Sequence, residues 1–161
     1  MSTTTLIESR TTTATENVNI NVPDRGTGGP FFPNHTWKAG RFILNVTNAA
    51  TDSSDTFDVY LQSGVRSPNA TSAETIIWDD FFHFTQVAGN ATEPIQHIAI
   101  WQRDGQTPES EMHIPKTDDI SAGVVQGPIG PYLRVRVVVV DSGDANQTFT
   151  WEVMANIVEE I

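Results

Sequence analysis

Four histidines have the widest range of chemistry in this sequence, because imidazole can exchange a proton or bind a metal near neutral pH. They are His35, His83, His97 and His113. None belongs to an HxH or HExxH pattern, so a zinc site would require the fold to bring distant histidines together. We therefore predict that each histidine is solvated or hydrogen-bonded in a strand or loop, and we assign no metal ligand.

Several aspartates occur as close pairs within turn-like segments. These pairs are Asp52 with Asp55, Asp118 with Asp119, and Asp141 with Asp144. A calcium-binding loop of the EF-hand type would need a different spacing of carboxylates. Aspartate favours turns because its side chain bonds nearby backbone N–H groups, so we predict turns at these pairs.

Asp79 and Asp80 differ from the other pairs because they interrupt an aromatic-rich strand, TIIWDDFFHFTQV, at residues 75–87. Adjacent strand residues point to opposite faces, so one carboxylate lies inward and needs a partner such as Arg103. The same geometry prevents the facing pair of carboxylates that a glycosidase requires. We predict a bulge or a buried polar pair here rather than a catalytic site.

Motifs for nucleophilic and cofactor chemistry are missing from the sequence. There is no cysteine, which excludes disulfides, thiolate nucleophiles and iron–sulfur clusters. There is also no GxSxG, Walker A or GxGxxG motif. We predict that the protein is not an enzyme and has no catalytic residue and no cofactor.

The charge of the chain excludes a further class of function. Nine lysines and arginines stand against 20 aspartates and glutamates, which gives a formal charge of −11. Nucleic-acid affinity depends on neutralising phosphates, so we predict no nucleic-acid partner. The longest apolar run, residues 137–140, is far too short to span a membrane, and we predict no membrane partner.

The elements that position these residues are predicted to be strands, because apolar and polar residues alternate from residue 39 onward. The predicted strands are residues 18–22, 41–47, 56–62, 75–87, 95–102, 112–114, 132–140 and 148–158. Short strands between clusters of Gly, Pro, Asn, Asp and Ser indicate an all-β protein. We expect an antiparallel β-sandwich, jelly-roll-like, with an extended N-terminal arm.

The chain divides into three segments by composition. They are a flexible or extended arm at residues 1–22, a Pro/Gly/aromatic loop at 23–38 and a β-sandwich domain at 39–161. The threonine-rich arm is typical of a disordered tail, or of a strand that adds to a neighbouring subunit's sheet. In the loop, Phe31, Phe32 and Trp37 either close one end of the core or form a contact patch, so they are the candidate partner contacts.

The last two predicted strands have complementary patterns. If the chain reverses around Asp144, the inward residues of one strand lie opposite the inward residues of the other. The paired residues are Leu133 with Ala155, Val135 with Val153, Val137 with Trp151, and Val139 with Phe149. On the other face Arg136 then lies opposite Glu152, which adds a cross-strand charge pair. We predict a β-hairpin with this register.

The tryptophans raise the alternative of carbohydrate binding, because sugars stack on exposed aromatic rings. Trp151 belongs to the core of the predicted hairpin, and Trp78 has core parity with Ile76 and Phe82. Trp37 and Trp101 are therefore the candidates for a sugar-stacking surface.

The order of segments from residue 39 to 158 resembles a loose class of tailed-phage virion proteins. RFILNV leads through a Ser/Thr/Asp turn into DTFDVYLQ, and IIWDDFFHFTQVAGNAT follows. The most typical element is the C-terminal pair, GPYLRVRVVVVDSGDANQTFTWEVMANIV.

The resemblance implies a structural role as a capsid decoration, or cement, protein of a bacteriophage. Its implied location is the outer capsid surface of the virion. Its implied partners are the major capsid protein and copies of itself, in a homo-oligomer such as a trimer. A carbohydrate-binding or adhesion module of a tail fibre or cell surface, and a tail-tube subunit, are the alternatives.

Overall fold

The computed structural model describes residues 2–20, 37–66, 76–102, 122–126, 132–140, 143 and 148–159. These residues form ten strands and no helix. The strands are β1 (Ser2–Thr12), β2 (Glu16–Asn19), β3 (Trp37–Asn48), β4 (Thr56–Arg66), β5 (Ile76–His83), β6 (Val87–Ala88), β7 (Ile95–Gln102), β8 (Ala122–Gln126), β9 (Tyr132–Val140) and β10 (Phe149–Glu159). The described residues contain no helix long and apolar enough to cross a membrane.

The strands form two sheets, which confirms the predicted all-β sandwich. The first sheet has the order β1-β10-β3-β7-β8, and the second has the order β2-β9-β4-β5, with β6 paired to β4. Every pair is antiparallel except β7 with β8, which is parallel. The prediction of a wholly antiparallel sandwich therefore holds for all but one strand pair.

Aromatic side chains from both sheets meet in the core. The ring of Phe57 in β4 stacks on Phe149 in β10 with centroids 4.7 Å apart. Phe42 in β3 contacts Phe82 in β5 at 5.5 Å. These contacts follow from the alternation in the sequence, because each strand turns its apolar parity toward the other sheet.

The strand pairs are nested along the chain. The outermost pair joins β1 to β10, and the next joins β2 to β9. The inner pairs join β3 to β7 and β4 to β5. Two further pairs, β10 with β3 and β9 with β4, complete the two sheets.

The predicted C-terminal hairpin is wrong. β9 pairs with β2 and β4, whereas β10 pairs with β1 and β3, so the two strands lie in different sheets. The predicted inward residues, from Leu133 to Val137 and from Phe149 to Ala155, are nevertheless buried. Alternation determines which side of a strand faces the core, and it does not determine which strand lies beside it. Arg136 correspondingly pairs with Asp80 rather than Glu152.

The N-terminal residues differ from the predicted arm. β1 and β2 are edge strands of this chain's own two sheets, and Ile7 and Ile20 are buried in the core. Between the sheets, the guanidinium of Arg10 in β1 forms an ion pair of 2.7 Å with Glu16 in β2. Threonine favours strands, and the edges of β9 and β10 offer backbone partners within the same chain.

Some sequence predictions lie outside the described residues. Phe31, Phe32 and the predicted strand at 112–114 are among them. Trp37 begins β3, and its side chain is not among those described.

Candidate functional site

A β-bulge in β5 determines which side chains lie on the outer face of the second sheet. Leu61 lies opposite Phe82, and Gln62 lies opposite Asp80, so Phe81 is an extra residue in β5. A bulge shifts the alternation by one residue, and the side chains before it therefore change faces. The predicted bulge is confirmed, with Phe81 as its extra residue, but the expectation that one carboxylate lies inward is wrong, because Asp80 lies on the outer face and Asp79 is exposed.

The bulge moves Trp78 out of the core. Asp80 and Trp78 share the outer face with Gln62 and Gly64, their register partners in β4. The prediction that Trp78 has core parity is wrong, because that parity was counted through the bulge. Eight side chains of this face make one connected set, which we call the outer-face network: Asp58, Tyr60, Gln62, Trp78, Asp80, His83, Arg134 and Arg136.

One end of the outer-face network is almost inaccessible to solvent. His83 Nε2 lies 2.9 Å from Asp58 Oδ1, and the two residues are only 8% and 6% exposed. The side-chain amide of Gln86 donates to both oxygens of Asp58 at 3.0 Å. The Tyr60 ring stacks on His83 with centroids 4.1 Å apart. His83 is thus a hydrogen-bonded strand residue, as the sequence predicted.

The middle of the network is a chain of charge-assisted hydrogen bonds. Arg136 lies over the Tyr60 ring at 4.1 Å and donates to Asp80 Oδ2 at 2.8 Å. Asp80 Oδ1 accepts from the amide of Gln62 at 2.6 Å, and Gln62 Oε1 accepts from Arg134 Nε at 2.5 Å. The partner of Asp80 is therefore Arg136, whereas Arg103 lies outside the described residues.

Arg134 and Trp78 form the other end of the network. The guanidinium of Arg134 lies over the Trp78 ring, 4.3 Å from its centroid. Trp78 in turn occupies the space above Gly64, where a Cβ atom would lie 2.9 Å from Trp78 Cε3. Glycine at position 64 therefore lets the indole lie close to the sheet.

Positive charges outnumber negative ones at this end of the network, where Arg134 and Arg136 lie near Asp80. Burial lowers the pKa of Arg134, the like charge of Arg136 lowers that pKa further, and the carboxylate of Asp80 partly opposes both effects. The carboxylate of Asp80 bonds Arg136 directly and is linked to Arg134 only through Gln62. Arg134 has no ion pair with any residue in the described part of the chain.

The outer-face network combines hydrogen-bonded polar groups with aromatic rings. Its donors and acceptors hold one another in fixed positions, and aromatic rings and arginines are the side chains that contribute most to binding surfaces. Among the residues that the structure describes, no group of three or more His, Asp or Glu side chains is placed to hold a metal ion.

The aspartates at residues 52–55 form a turn, as predicted. Asp52 Oδ1 accepts a hydrogen bond of 2.7 Å from the backbone N–H of Ser54, and its carbonyl accepts one from Asp55 N–H. The other two aspartate pairs lie outside the described residues.

The tryptophan assignments change with the structure. Trp101, predicted to be available for stacking, is 2% exposed and packs in the core with Trp151. Sequence reasoning missed Tyr60, Gln62 and Arg134 as parts of one site. In FDVYLQ and in YLRVRV the polar residues alternate with apolar ones, which places them on the outer face of each strand. Neither segment alone shows that the two strands are neighbours.

No family model, curated protein sequence or solved structure matches this chain.

Proposed function

We propose that the protein is a structural component of a phage virion that decorates and cements the capsid. In this proposal it lies on the outer capsid surface and contacts the major capsid protein and copies of itself. The resemblance of residues 39–158 to virion proteins is the origin of the proposal. Its strongest structural support is the nested order of the strands.

The nested order is the pattern expected of a jelly roll. A long antiparallel hairpin that folds over on itself pairs its strands from the outside inward and divides them between two sheets. The pairs β1·β10, β2·β9, β3·β7 and β4·β5 follow this rule. Jelly rolls are common in viral capsid proteins, and they also occur in lectins, so the order supports a structural role without excluding sugar binding.

The charge of the chain is compatible with this location. A protein of net charge −11 avoids non-specific association with packaged DNA. A decoration protein also needs a rigid contact surface, and the outer-face network offers one with arginine and aromatic side chains.

Carbohydrate binding is the second candidate function, with Trp78 and Tyr60 as the candidate residues in place of Trp37 and Trp101. Trp78 and Tyr60 are half-buried on the outer face of the second sheet, and polar side chains surround them. An arginine covers one face of each ring and His83 stacks on Tyr60, so stacking of a sugar would need the other face of Trp78. This candidate predicts sugar binding by the isolated protein that is lost in Trp78→Ala and unchanged in Val65→Ala, a variant at an exposed apolar position.

The copy number of the chain in purified, DNA-filled particles tests the proposal most directly. Quantitative mass spectrometry should find it nearly stoichiometric with the major capsid protein. A few copies per particle would instead indicate a fibre or adsorption module, and complete absence would contradict a virion role. Spontaneous assembly of the purified protein into tubes would indicate the tail-tube alternative.

A second test must keep the edge strands β1 and β2 folded. Deletion of residues 1–22 would remove β1, β2 and the buried side chains of Ile7 and Ile20, so loss of capsid attachment would only report unfolding. Substitution of exposed Ser9 and Thr13 by lysine changes the N-terminal edge while leaving the core intact. If this edge contacts neighbouring subunits, the variant should bind particles more weakly at unchanged thermal stability.

A further inference from the structure

We propose that Arg134 is the receptor for a carboxylate group, and that this carboxylate belongs to an aspartate or glutamate side chain of a partner protein. The site consists of Arg134, its support Trp78 and its hydrogen-bond acceptor Gln62.

The geometry of Arg134 leaves its outer nitrogens for a ligand. Its Nε donates to Gln62 and its flat face lies on Trp78, so both the position and the plane of the guanidinium are fixed. The two Nη groups make no hydrogen bond with any described residue. A guanidinium held in this way can donate two parallel hydrogen bonds to a carboxylate without losing further side-chain freedom.

The charges of the site favour an anion. Asp80 is already bonded to Arg136 at 2.8 Å and to Gln62 at 2.6 Å, so its carboxylate is engaged elsewhere. Arg10, by comparison, has its own carboxylate partner in Glu16 at 2.7 Å. Arg134 is therefore a half-buried cation, next to a second cation, whose charge would be balanced by an incoming carboxylate.

The surroundings favour a protein as the source of this carboxylate. Small ligands are usually enclosed in concave sites, whereas this site lies on the outer face of a sheet that no other described strand covers. Tryptophan, tyrosine and arginine are the residues that dominate protein–protein contacts, and Trp78, Tyr60 and Arg134 lie together on this face. Because the chain as a whole is acidic, an aspartate or glutamate of a partner would bind at Arg134 and thereby fix the position of the contact.

Titrations followed by NMR of the arginine side chains test the assignment on the purified full-length protein. The probes are sodium acetate, an N-acetyl-glutamyl peptide amide and sodium galacturonate, at ionic strength held constant with sodium chloride. We expect acetate and the peptide to shift the Arg134 signals saturably, with an affinity about tenfold higher than at Arg41. Arg41 is the matched control because it is exposed on the outer face of the first sheet.

Three variants separate the parts of the site. Binding to the two Arg134 variants is followed at the indole N–H signal of Trp78, because these variants lack the Arg134 signals. Arg134→Gln should abolish the saturable shift of that signal, and Arg134→Lys should weaken binding about tenfold, since it keeps the charge and loses the bidentate geometry. Trp78→Leu should weaken binding less than Arg134→Gln. Unchanged backbone amide signals of the core residues would show that each variant is folded.

Two results would overturn the proposal. Absence of a saturable shift at Arg134 would show that it is not a carboxylate receptor. Galacturonate binding more than tenfold tighter than acetate would assign the site to an acidic sugar instead of a protein. Neither result depends on the copy number of the chain in virions, so failure of this proposal and failure of the virion proposal are distinguishable.

Discussion

The outer faces of the two sheets use the same alternation of residues in different ways. On the first sheet, Asn45 donates to Glu152 at 2.7 Å, beside half-buried Ile43 and Met154. On the second sheet, eight polar and aromatic side chains join into one network, and Asp58 is only 6% exposed, like Ile157 of the core. Among the described residues, burial on this outward face comes from neighbouring side chains that bond to one another.

The largest difference between the two faces should appear when an acidic residue is removed from each. Asp58→Ala removes the acceptor of buried His83 and of the exposed Gln86 amide, and we expect a loss of about 2–4 kcal/mol in the free energy of unfolding. The matched variant Glu152→Ala on the first sheet should lose less than about 1 kcal/mol. Urea unfolding measures both, and equal losses would contradict the distinction between the faces.

An added methyl group on the crowded outer face of the second sheet should give the next largest loss in the free energy of unfolding. In Gly64→Ala the new Cβ would lie 2.6 Å from Ile76 Cγ2 and 2.9 Å from Trp78 Cε3, so both side chains must move. We expect a loss of about 1–3 kcal/mol. The same substitution in an Ile76→Ala/Trp78→Ala background should cost much less, and an unchanged cost would show that the backbone rather than these side chains resists the substitution.

The two arginines of the network should differ more in binding than in stability. Arg136→Gln breaks the ion pair with Asp80 and should lose about 1 kcal/mol, a value reduced by partial exposure of the pair. Arg134→Gln breaks no ion pair within the described residues, but it removes the hydrogen bond to Gln62 and the contact with Trp78, so we also expect a loss of about 1 kcal/mol. Thermal unfolding should therefore show similar losses for the two variants, whereas acetate titration should show the larger loss of binding in Arg134→Gln, since Arg134 is the proposed receptor. An equal loss of acetate binding in both variants would contradict the assignment.

The smallest effect is expected at the edge between the sheets. Arg10 and Glu16 form a partly exposed ion pair, so Glu16→Gln should lose about 0.2–1 kcal/mol. The loss should shrink in 0.5 M sodium chloride, because salt screens exposed charges. A loss that salt does not change would show that the hydrogen bond, rather than the charge, matters.

The sequence predicted which face of each strand is buried better than it predicted which strands are adjacent. The buried parity of β9 and β10 was correct, yet their partners were not, because alternation contains no information about which edge a strand joins. At Asp79 and Asp80 the sequence indicated an irregularity, but the position of the extra residue, Phe81, depends on packing against β4. The outer-face network could not be assembled from the sequence for the same reason.

The nested pairing has a consequence for synthesis on the ribosome. β1 finds its partner only when β10 has left the exit tunnel, about 140 residues later in the chain. At typical elongation rates the first strands wait on the order of 10 s without a partner. Their threonines are polar enough to remain in water and still favour an extended backbone, which suits segments that emerge first and are incorporated last. The slow step in folding should accordingly be closure of the outer strands, as in other proteins whose contacts are distant in sequence.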